Sequence, residues 1–332
     1  MSLNLHQSSS SGAVSSASSA WYLVGPTAVG KSAIALELAG RIGGEIISVD
    51  SMQVYRGLDI GTAKPSAAER ARVRHHLIDV AELAEAFDAA RFVALAEAAD
   101  VDIRSRGKVP VYCGGTGFYL KALLSGLGEA PPADLALRAE LEAAPLANLL
   151  AELERADPAT FEKIDRQNPR RVVRAVEVIR LTGRPFSEQQ SDWQPVGAGL
   201  PTLIAFRREP AGLRKRIETR VDEMFAAGLV AETRQLLEHG LAGNRTALQA
   251  IGYRQVAEHL RGERSLNETI ALVKTKTWQF ARRQATWLRR HLRPHWISLS
   301  DGNSPAEVAA GLDPIARGGK VDENCVQEIR PR

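Results

Sequence analysis

The stretch that decides the fold is Gly25-Pro26-Thr27-Ala28-Val29-Gly30-Lys31-Ser32, which fits the phosphate-binding loop pattern G-x-x-x-x-G-K-[ST]. It follows a short apolar run at Trp21–Val24 and precedes a helix-forming stretch at Lys31–Ile42. Backbone N–H groups of such a loop bind phosphate oxygens at the helix N-terminus. Lys31 would add a positive charge, and the Ser32 hydroxyl would bind Mg²⁺. The loop alone does not say whether the bound diphosphate belongs to a nucleotide.

Short apolar runs on both sides of this loop indicate a parallel sheet. Further strands are predicted at Ile46–Val49, Val109–Cys113 and Leu203–Phe206, with helical stretches between them. Strands that alternate with helices are typical of an α/β fold. The predicted fold class is therefore α/β, with a core of the phosphate-loop NTPase type, a mainly helical insertion and a helical C-terminal part.

Composition divides the chain into regions. Residues 1–20 are rich in Ser and Ala and lack the basic segment and apolar run of a secretory signal, so we expect a disordered leader. The α/β core is predicted at 21–127 and at about 200–310, and the helical insertion at 128–199. A Gly-rich and charged end predicts a disordered tail at 311–332.

Length and composition exclude several classes of protein. The chain has 332 residues, of which 44% are hydrophobic, and no run approaches the ~20 apolar residues of a membrane span. Two cysteines, Cys113 and Cys325, are too few for a disulfide framework. We expect a cytoplasmic protein with no membrane partner.

The net charge of +4 is concentrated in the last third, where residues 201–332 carry 22 Lys and Arg against 15 Asp and Glu. Between Ile270 and Ser300 there are seven basic residues and no acidic one. This pattern indicates a phosphate-rich partner or, alternatively, a solvated helix face.

A helix is predicted from Ile270 to Leu292. Val273, Phe280 and Trp287 recur every seven residues and are predicted to be core. On the opposite side, affinity for RNA is assigned to Arg282, Arg289 and Arg293.

Asp50 lies at the end of the second predicted strand, where ligands of parallel sheets bind. Three roles are open for its carboxylate: a general base, a cap of the following turn, or a ligand of the Mg²⁺ water shell. The third predicted strand runs instead into Gly114-Gly115-Thr116, and we expect these glycines to permit the close approach of a ligand.

These segments, in order and spacing, closely resemble the family of bacterial tRNA dimethylallyltransferases, also called tRNA isopentenyltransferases. The resemblance covers about residues 24–296. The phosphate loop is shared with other families, whereas the runs DIGTAKP and GYRQ are much more specific. The matching segments are Gly25–Ser32, Ser48–Ser51, Asp59–Pro65, Gly114–Thr116, Asn168–Arg174 and Ile251–Gln255.

The resemblance implies transfer of a dimethylallyl group from dimethylallyl diphosphate to N6 of adenosine-37 beside the tRNA anticodon, with release of pyrophosphate. It implies Mg²⁺ as cofactor, the anticodon stem-loop as partner, and a monomer. Asp50 would be the base, and Thr27 and Arg220 would act with it on the diphosphate. The implied tRNA contacts are Asp50, Ser51, Met52, Gln53, Thr116, Arg138, Arg170, Arg171, Val172, Val173, Arg174, Gln249, Ala250, Ile251, Gly252, Tyr253 and Arg254.

The residues by themselves leave alternatives open. Without the resemblance, Arg216 and Arg220 would be interpreted as ordinary surface arginines. Arg170, Arg171 and Arg174 stand at the start of a predicted helix, where cations oppose the helix dipole, and they could pair with Glu177 and Asp165 instead of RNA. The rival functions are a phosphate-loop kinase of a nucleoside or small metabolite and a non-catalytic RNA-binding protein.

Overall fold

Six parallel strands form the sheet that carries the phosphate-binding loop. The computed structural model describes residues 20–128, 130–189 and 202–316, so the predicted leader, apart from Ala20, lies outside the described residues. The strand order is β3-β2-β4-β1-β5-β6. The strands are β1 (Trp21–Val24), β2 (Gly44–Val49), β3 (His75–His76), β4 (Val109–Gly114), β5 (Leu203–Arg208) and β6 (His295–Leu299).

Helices cover both faces of the sheet and form the insertion. None of the described helices is long and apolar enough to cross a membrane. The helices are α1 (Lys31–Ile42), α2 (Ala67–Arg72), α3 (Ala89–Ser105), α4 (Gly117–Ser125), α5 (Leu135–Ala143), α6 (Leu146–Ala156), α7 (Pro158–Lys163), α8 (Pro169–Thr182), α9 (Phe186–Gln189), α10 (Pro210–Ala226), α11 (Leu229–Glu238), α12 (Tyr253–Leu260), α13 (Leu266–His291) and α14 (Pro305–Ala316).

The predicted α/β class is confirmed, with shifts at the strand ends. Strand β5 continues two residues beyond the predicted Phe206, because Arg207 and Arg208 pair with β6. The sequence missed β3 and β6. Strand β3 has only two residues, and β6 is a five-residue edge strand in which only Ile297 and Leu299 are buried.

The hydrophobic core lies in two layers, one on each face of the sheet. One layer contains Phe92 of α3 and Tyr253 of α12. The other contains residues of α1, α10 and α14. Because both faces are covered, every residue of β2 is buried, as is typical of a parallel strand.

The helix α13 contacts both layers, and here one prediction is wrong. Phe280 is 37% exposed and its ring lies 5.9 Å from the guanidinium of Arg283, so it is not a core residue. An α-helix turns about 100° per residue, so Phe280 and the buried residues that follow it point to opposite sides of the direction of Val273 around the helix axis. Ala281, Gln284 and Leu288 form that stripe.

The described part of the insertion is helical, as predicted, and α8 begins at Pro169. It has a small hydrophobic core of its own, built by Leu149, Leu153 and Val176 and their neighbours. The predicted tail, in contrast, begins too early at residue 311, because α14 continues to Ala316. Residues 317–332 lie outside the described residues.

A buried carboxylate stabilises the edge of the sheet opposite the phosphate loop. Glu45, at the start of β2, is 1% exposed. It accepts hydrogen bonds from Arg106 and, at 2.8 and 2.7 Å, from Lys108 and His76. The bonds from Arg106 lower the pKa of Glu45 well below its ordinary value and outweigh the effect of burial.

We expect Glu45→Gln to lower the free energy of unfolding at pH 7 by about 2 kcal/mol, because the charged acceptor is removed. A carboxylate with a lowered pKa stabilises the fold above its unfolded pKa and loses that effect as the pH falls. The difference from the unchanged chain should therefore shrink below about pH 4 in urea unfolding. Asp102→Asn, which removes an exposed partner of Arg106, is the control. A difference that grew on acidification would contradict this account.

Candidate active site

Three loops meet at one edge of the sheet because their strands are parallel neighbours. Val24 at the end of β1 and Val49 at the end of β2 both pair with Gly114 of β4. The phosphate loop, Asp50 and Gly115 therefore begin at the same level. This edge is where ligands of open parallel sheets bind.

The phosphate loop is held from its outer side by two arginines. Arg208 Nε donates to the carbonyl of Val29 at 2.9 Å, and Arg216 Nε donates to the carbonyl of Ala28 at 3.0 Å. Gly30 has φ of 111°, which turns the chain directly into α1 at Lys31. Arg216 is therefore more than the ordinary surface residue that the sequence suggested, and the sequence did not identify Arg208. The sequence signal for Arg216 is weak, because only its one-turn spacing from Arg220 relates it to the site, and that spacing does not include Arg208.

Lys31 and Arg220 are two partly buried cations at this edge of the sheet. Lys31 Nζ donates to the carbonyl of Pro26 at 3.3 Å. Burial lowers the pKa of the Lys31 ammonium and of the Arg220 guanidinium, and the nearby Asp50 carboxylate opposes this effect in both. Burial likewise raises the pKa of the adjacent Cys113 thiol to about 11, so this thiol stays protonated. Cations that burial disfavours are stabilised when an anion binds beside them.

Two clefts meet at Arg220. The first, of about 520 Å³, opens at the N-terminus of α1 and is lined by four cations and two acids. The second, of about 700 Å³, follows the Asp59–Pro65 loop and shares Arg220 and Glu223 with the first. The charged residues of the first cleft are Lys31, Lys215, Arg216, Arg220, Glu223 and Asp301.

Asp50 caps the turn that follows β2. Its Oδ1 accepts hydrogen bonds from the N–H groups of Met52 at 2.9 Å and Gln53 at 3.3 Å. Its Oδ2 has no hydrogen-bond partner within the described ranges. Capping, one of the three predicted roles, is thus observed, and it leaves one carboxylate oxygen for chemistry.

The glycines after β4 make room for the chain itself. A Cβ on Gly114 would lie 2.0 Å from the carbonyl oxygen of Val49, and one on Gly117 would lie 2.2 Å from the ring of Trp287. The close approach of protein atoms by itself accounts for glycine at these positions, and the approach of a ligand stays a prediction. Thr116 then ties the loop to β2, since its Oγ1 accepts from the N–H of Ser51 at 3.1 Å.

Sequence reasoning missed Gln284 of α13. Its Oε1 accepts from the N–H of Thr27 at 2.8 Å, and its Nε2 donates to the carbonyl of Gly115 at 3.0 Å. The signal was present, because Gln284 is a polar residue between Ala281 and Leu288 on an apolar stripe.

The DIGTAKP loop is fixed by the GYRQ segment. Tyr253 is fully buried, and its hydroxyl accepts from the N–H of Gly61 at 3.0 Å and donates to Glu232 at 2.5 Å. Glu232 also accepts from the N–H of Ile60. From the other side, the Gln53 amide donates to the carbonyls of Thr62 and Ala63 at 3.1 and 3.3 Å. The GYRQ segment, through Tyr253, therefore holds the DIGTAKP loop in place, and Gln53 supports the same loop from the other side.

The arginines of the insertion divide into two groups. Arg138 and Arg174 both donate to Glu177, which is fully buried, at 2.5 and 2.6 Å. The predicted alternative of pairing with Glu177 is therefore observed for Arg174. Arg170 and Arg171 are exposed, and Arg170 donates to the carbonyl of Arg245 at 3.0 Å. That bond brings the start of α8 beside the segment that leads to Gln249.

The remaining predicted RNA contacts differ in exposure. Gln249 and Arg254 are exposed, and Ser51, Met52, Thr116 and Ile251 are half-buried. The side chains of Val172, Val173, Ala250 and Tyr253, and the residue Gly252, are buried, so in this structure they support the surface from behind. Of the predicted contacts, only the exposed and half-buried side chains are accessible from the surface.

The protein oxygens at this edge of the sheet would hold a Mg²⁺ ion together with the phosphates of a substrate. No cluster of three or more His, Cys, Asp or Glu side chains is present among residues 20–128, 130–189 and 202–316. Mg²⁺ bound through substrate phosphates needs few protein ligands. The Ser32 hydroxyl at the start of α1 and the free oxygen of Asp50 after β2 are the protein oxygens that would serve such an ion.

Known proteins resemble this chain over most of its length. The family model of the IPP transferases matches residues 53–291. The tRNA dimethylallyltransferase 1 of Trichlorobacter lovleyi is 44% identical over 293 residues, which are 87% of this chain and 96% of that protein. The tRNA dimethylallyltransferase of Halorhodospira halophila is 48% identical over 80% of this chain and 88% of that protein.

Solved structures of tRNA-modifying transferases are also similar to this chain. The tRNA isopentenylpyrophosphate transferase of Bacillus halodurans has a TM-score of 0.64 at 36% identity, over 91% of this chain and 97% of that chain. A eukaryotic dimethylallyltransferase acting on tRNA has a TM-score of 0.75 at 25% identity, over 94% of this chain and 82% of that chain. The chain belongs to the IPP transferase family.

Proposed function

We propose that this chain transfers a dimethylallyl group from dimethylallyl diphosphate to N6 of adenosine-37 in tRNA. The observation that carries the proposal is the meeting of the phosphate loop and Asp50 at one edge of the sheet, in a chain of this family. The loop holds the leaving group, and the carboxylate lies beside it.

The donor diphosphate binds in the cleft at the start of α1. Backbone N–H groups of the loop, the Lys31 ammonium and the Arg220 guanidinium surround it with positive charge. Thr27 contributes its hydroxyl from the same loop. These groups stabilise the negative charge that develops on pyrophosphate as the bond between the allylic carbon and oxygen breaks.

Asp50 is the group that accepts the proton from the amine of the target adenosine. The adenine N6 forms a bond to the allylic carbon, pyrophosphate departs, and the proton of the amine passes to Asp50 Oδ2. The hydrogen bonds to Oδ1 keep the carboxylate in place during this step. When bound, Mg²⁺ neutralises part of the pyrophosphate charge.

The tRNA anticodon stem-loop binds across the insertion and the edge of the sheet. Exposed cations suited to its phosphates include Arg170 and Arg171 of α8 and Arg282 and Arg289 of α13. Adenosine-37 must leave its stack to reach a carboxylate beside the phosphate loop.

The direct test incubates the chain with dimethylallyl diphosphate, Mg²⁺ and an anticodon stem-loop RNA. We expect mass spectrometry to show one added dimethylallyl group, and none on a control RNA with guanosine at position 37. ATP with a panel of nucleosides tests the kinase alternative. Phosphorylated nucleoside without prenylated RNA would contradict the proposal, and RNA binding without either product would favour the non-catalytic alternative.

We expect Asp50→Asn to lower the single-turnover rate of transfer by roughly 10²- to 10⁴-fold, because the base is removed. Asparagine keeps an oxygen that can accept from Met52 and Gln53, so the turn should persist. Donor affinity should change little, and Asp102→Asn at the opposite edge of the sheet is the matched control. Weakened donor binding that high Mg²⁺ restores would instead assign Asp50 to the metal.

We expect the double change Arg170→Ala and Arg171→Ala to weaken RNA binding and flatten its salt dependence. For every phosphate that these side chains neutralise, the log-log salt slope should fall by roughly 0.7 to 0.9 in the double variant. Arg174 is left in place because its removal would take away one of the two arginine partners of the buried Glu177. Arg155→Ala, an exposed arginine of α6, is the control. An unchanged slope in the double variant would show that these two arginines do not contact phosphates.

A further inference from the structure

One side-chain amide joins the loop after β1 to the loop after β4. Gln284 is 9% exposed, and both ends of its amide are paired, with Thr27 and Gly115. A reversed amide would direct its NH₂ group at the N–H of Thr27 and its oxygen at the carbonyl of Gly115. Both contacts would then be repulsive, so the amide has a single favourable orientation.

Hydrogen bonds continue from Gly115 to the residues on either side of Asp50. Thr116 donates its N–H to the carbonyl of Val49 at 3.2 Å, and its Oγ1 accepts from the N–H of Ser51 at 3.1 Å. Gln284 therefore lies in a chain of contacts that begins at the phosphate loop and ends beside the carboxylate.

Helix α13 and the loop after β4 are closely packed at Gln284. A Cβ on Gly115 would lie 2.3 Å from Nε2 of Gln284, so the helix and the loop are already in close contact. The position of α13 relative to the sheet is also fixed by packing. Ala281 is buried in one core layer and Leu288 in the other, one turn on each side of Gln284.

We infer that Gln284 is a positioning residue of the transfer reaction, which holds the diphosphate-binding loop at a fixed distance from Asp50. The inference rests on the proposed function. Attack of the amine on the allylic carbon needs the two atoms about 3 to 3.5 Å apart and aligned. The donor is held by one loop and the proton acceptor by another, and Gln284 fixes these loops relative to each other.

Three variants test this role. Gln284→Met keeps the length of the side chain and removes both hydrogen bonds. Gln284→Glu keeps an acceptor for Thr27 but removes the donor to Gly115 and sets a carboxylate against its carbonyl. Gln279→Met makes the first substitution at an exposed position of the same helix and is the control.

The measurements are the single-turnover rate at saturating donor and RNA, the affinity for dimethylallyl diphosphate without RNA, and the thermal midpoint. We expect Gln284→Met to lower the rate by roughly 100-fold. Its donor affinity should fall much less than its rate, and its thermal midpoint should remain a single cooperative transition. Gln284→Glu should also be slow, and Gln279→Met should equal the unchanged chain.

Two results would overturn the inference. The first is a normal rate in Gln284→Met, and the second is a loss of rate that weaker donor binding explains fully. If Gln284→Met does not fold, Gln284→Glu decides, and a normal rate there overturns the inference. No transfer by the unchanged chain would refute the proposed function and this inference together. Transfer that the Gln284 variants retain would refute the inference alone.

Discussion

Parallel pairing of β1 and β2 on either side of β4 is the constraint on which the site depends. Because the three strands run in one direction and end at the same level, their following loops meet at one edge. Each loop carries a different function: the phosphate loop follows β1, Asp50 follows β2, and the glycine-rich turn follows β4. Any shift of register would separate the carboxylate from the anion-binding loop.

The same edge shows how one protein can hold two substrates of like charge. The cleft at the start of α1 concentrates cations that burial disfavours, which suits a small diphosphate. The exposed arginines of α8 and α13 are spread over a larger surface, which suits a polyanion. Asp50 belongs to the first of these surfaces, since its carboxylate acts electrostatically on both Lys31 and Arg220 of the cleft.

Much of the support for the site comes from residues far away in the chain. Arg208 and Arg216 hold the carbonyls of the phosphate loop, Tyr253 holds the DIGTAKP loop, and Gln284 joins two strand ends. All four follow the insertion in sequence. The part of the chain that follows the insertion therefore supports the site and also carries a basic surface.

The sequence by itself determined the α/β class, the phosphate loop with α1 from Lys31, and Asp50 at a strand end, because these features are local patterns of spacing and residue type. The family resemblance added the reaction and its expected partners. Only the tertiary structure decided that Phe280 is exposed, that Glu177 binds Arg138 and Arg174, and that Tyr253 and Gln284 are supports. The reason is physical: a hydrogen bond between residues 257 positions apart, such as that from Thr27 to Gln284, leaves no periodic signal in the chain. It exists only once the parallel sheet and both core layers have brought the two residues together.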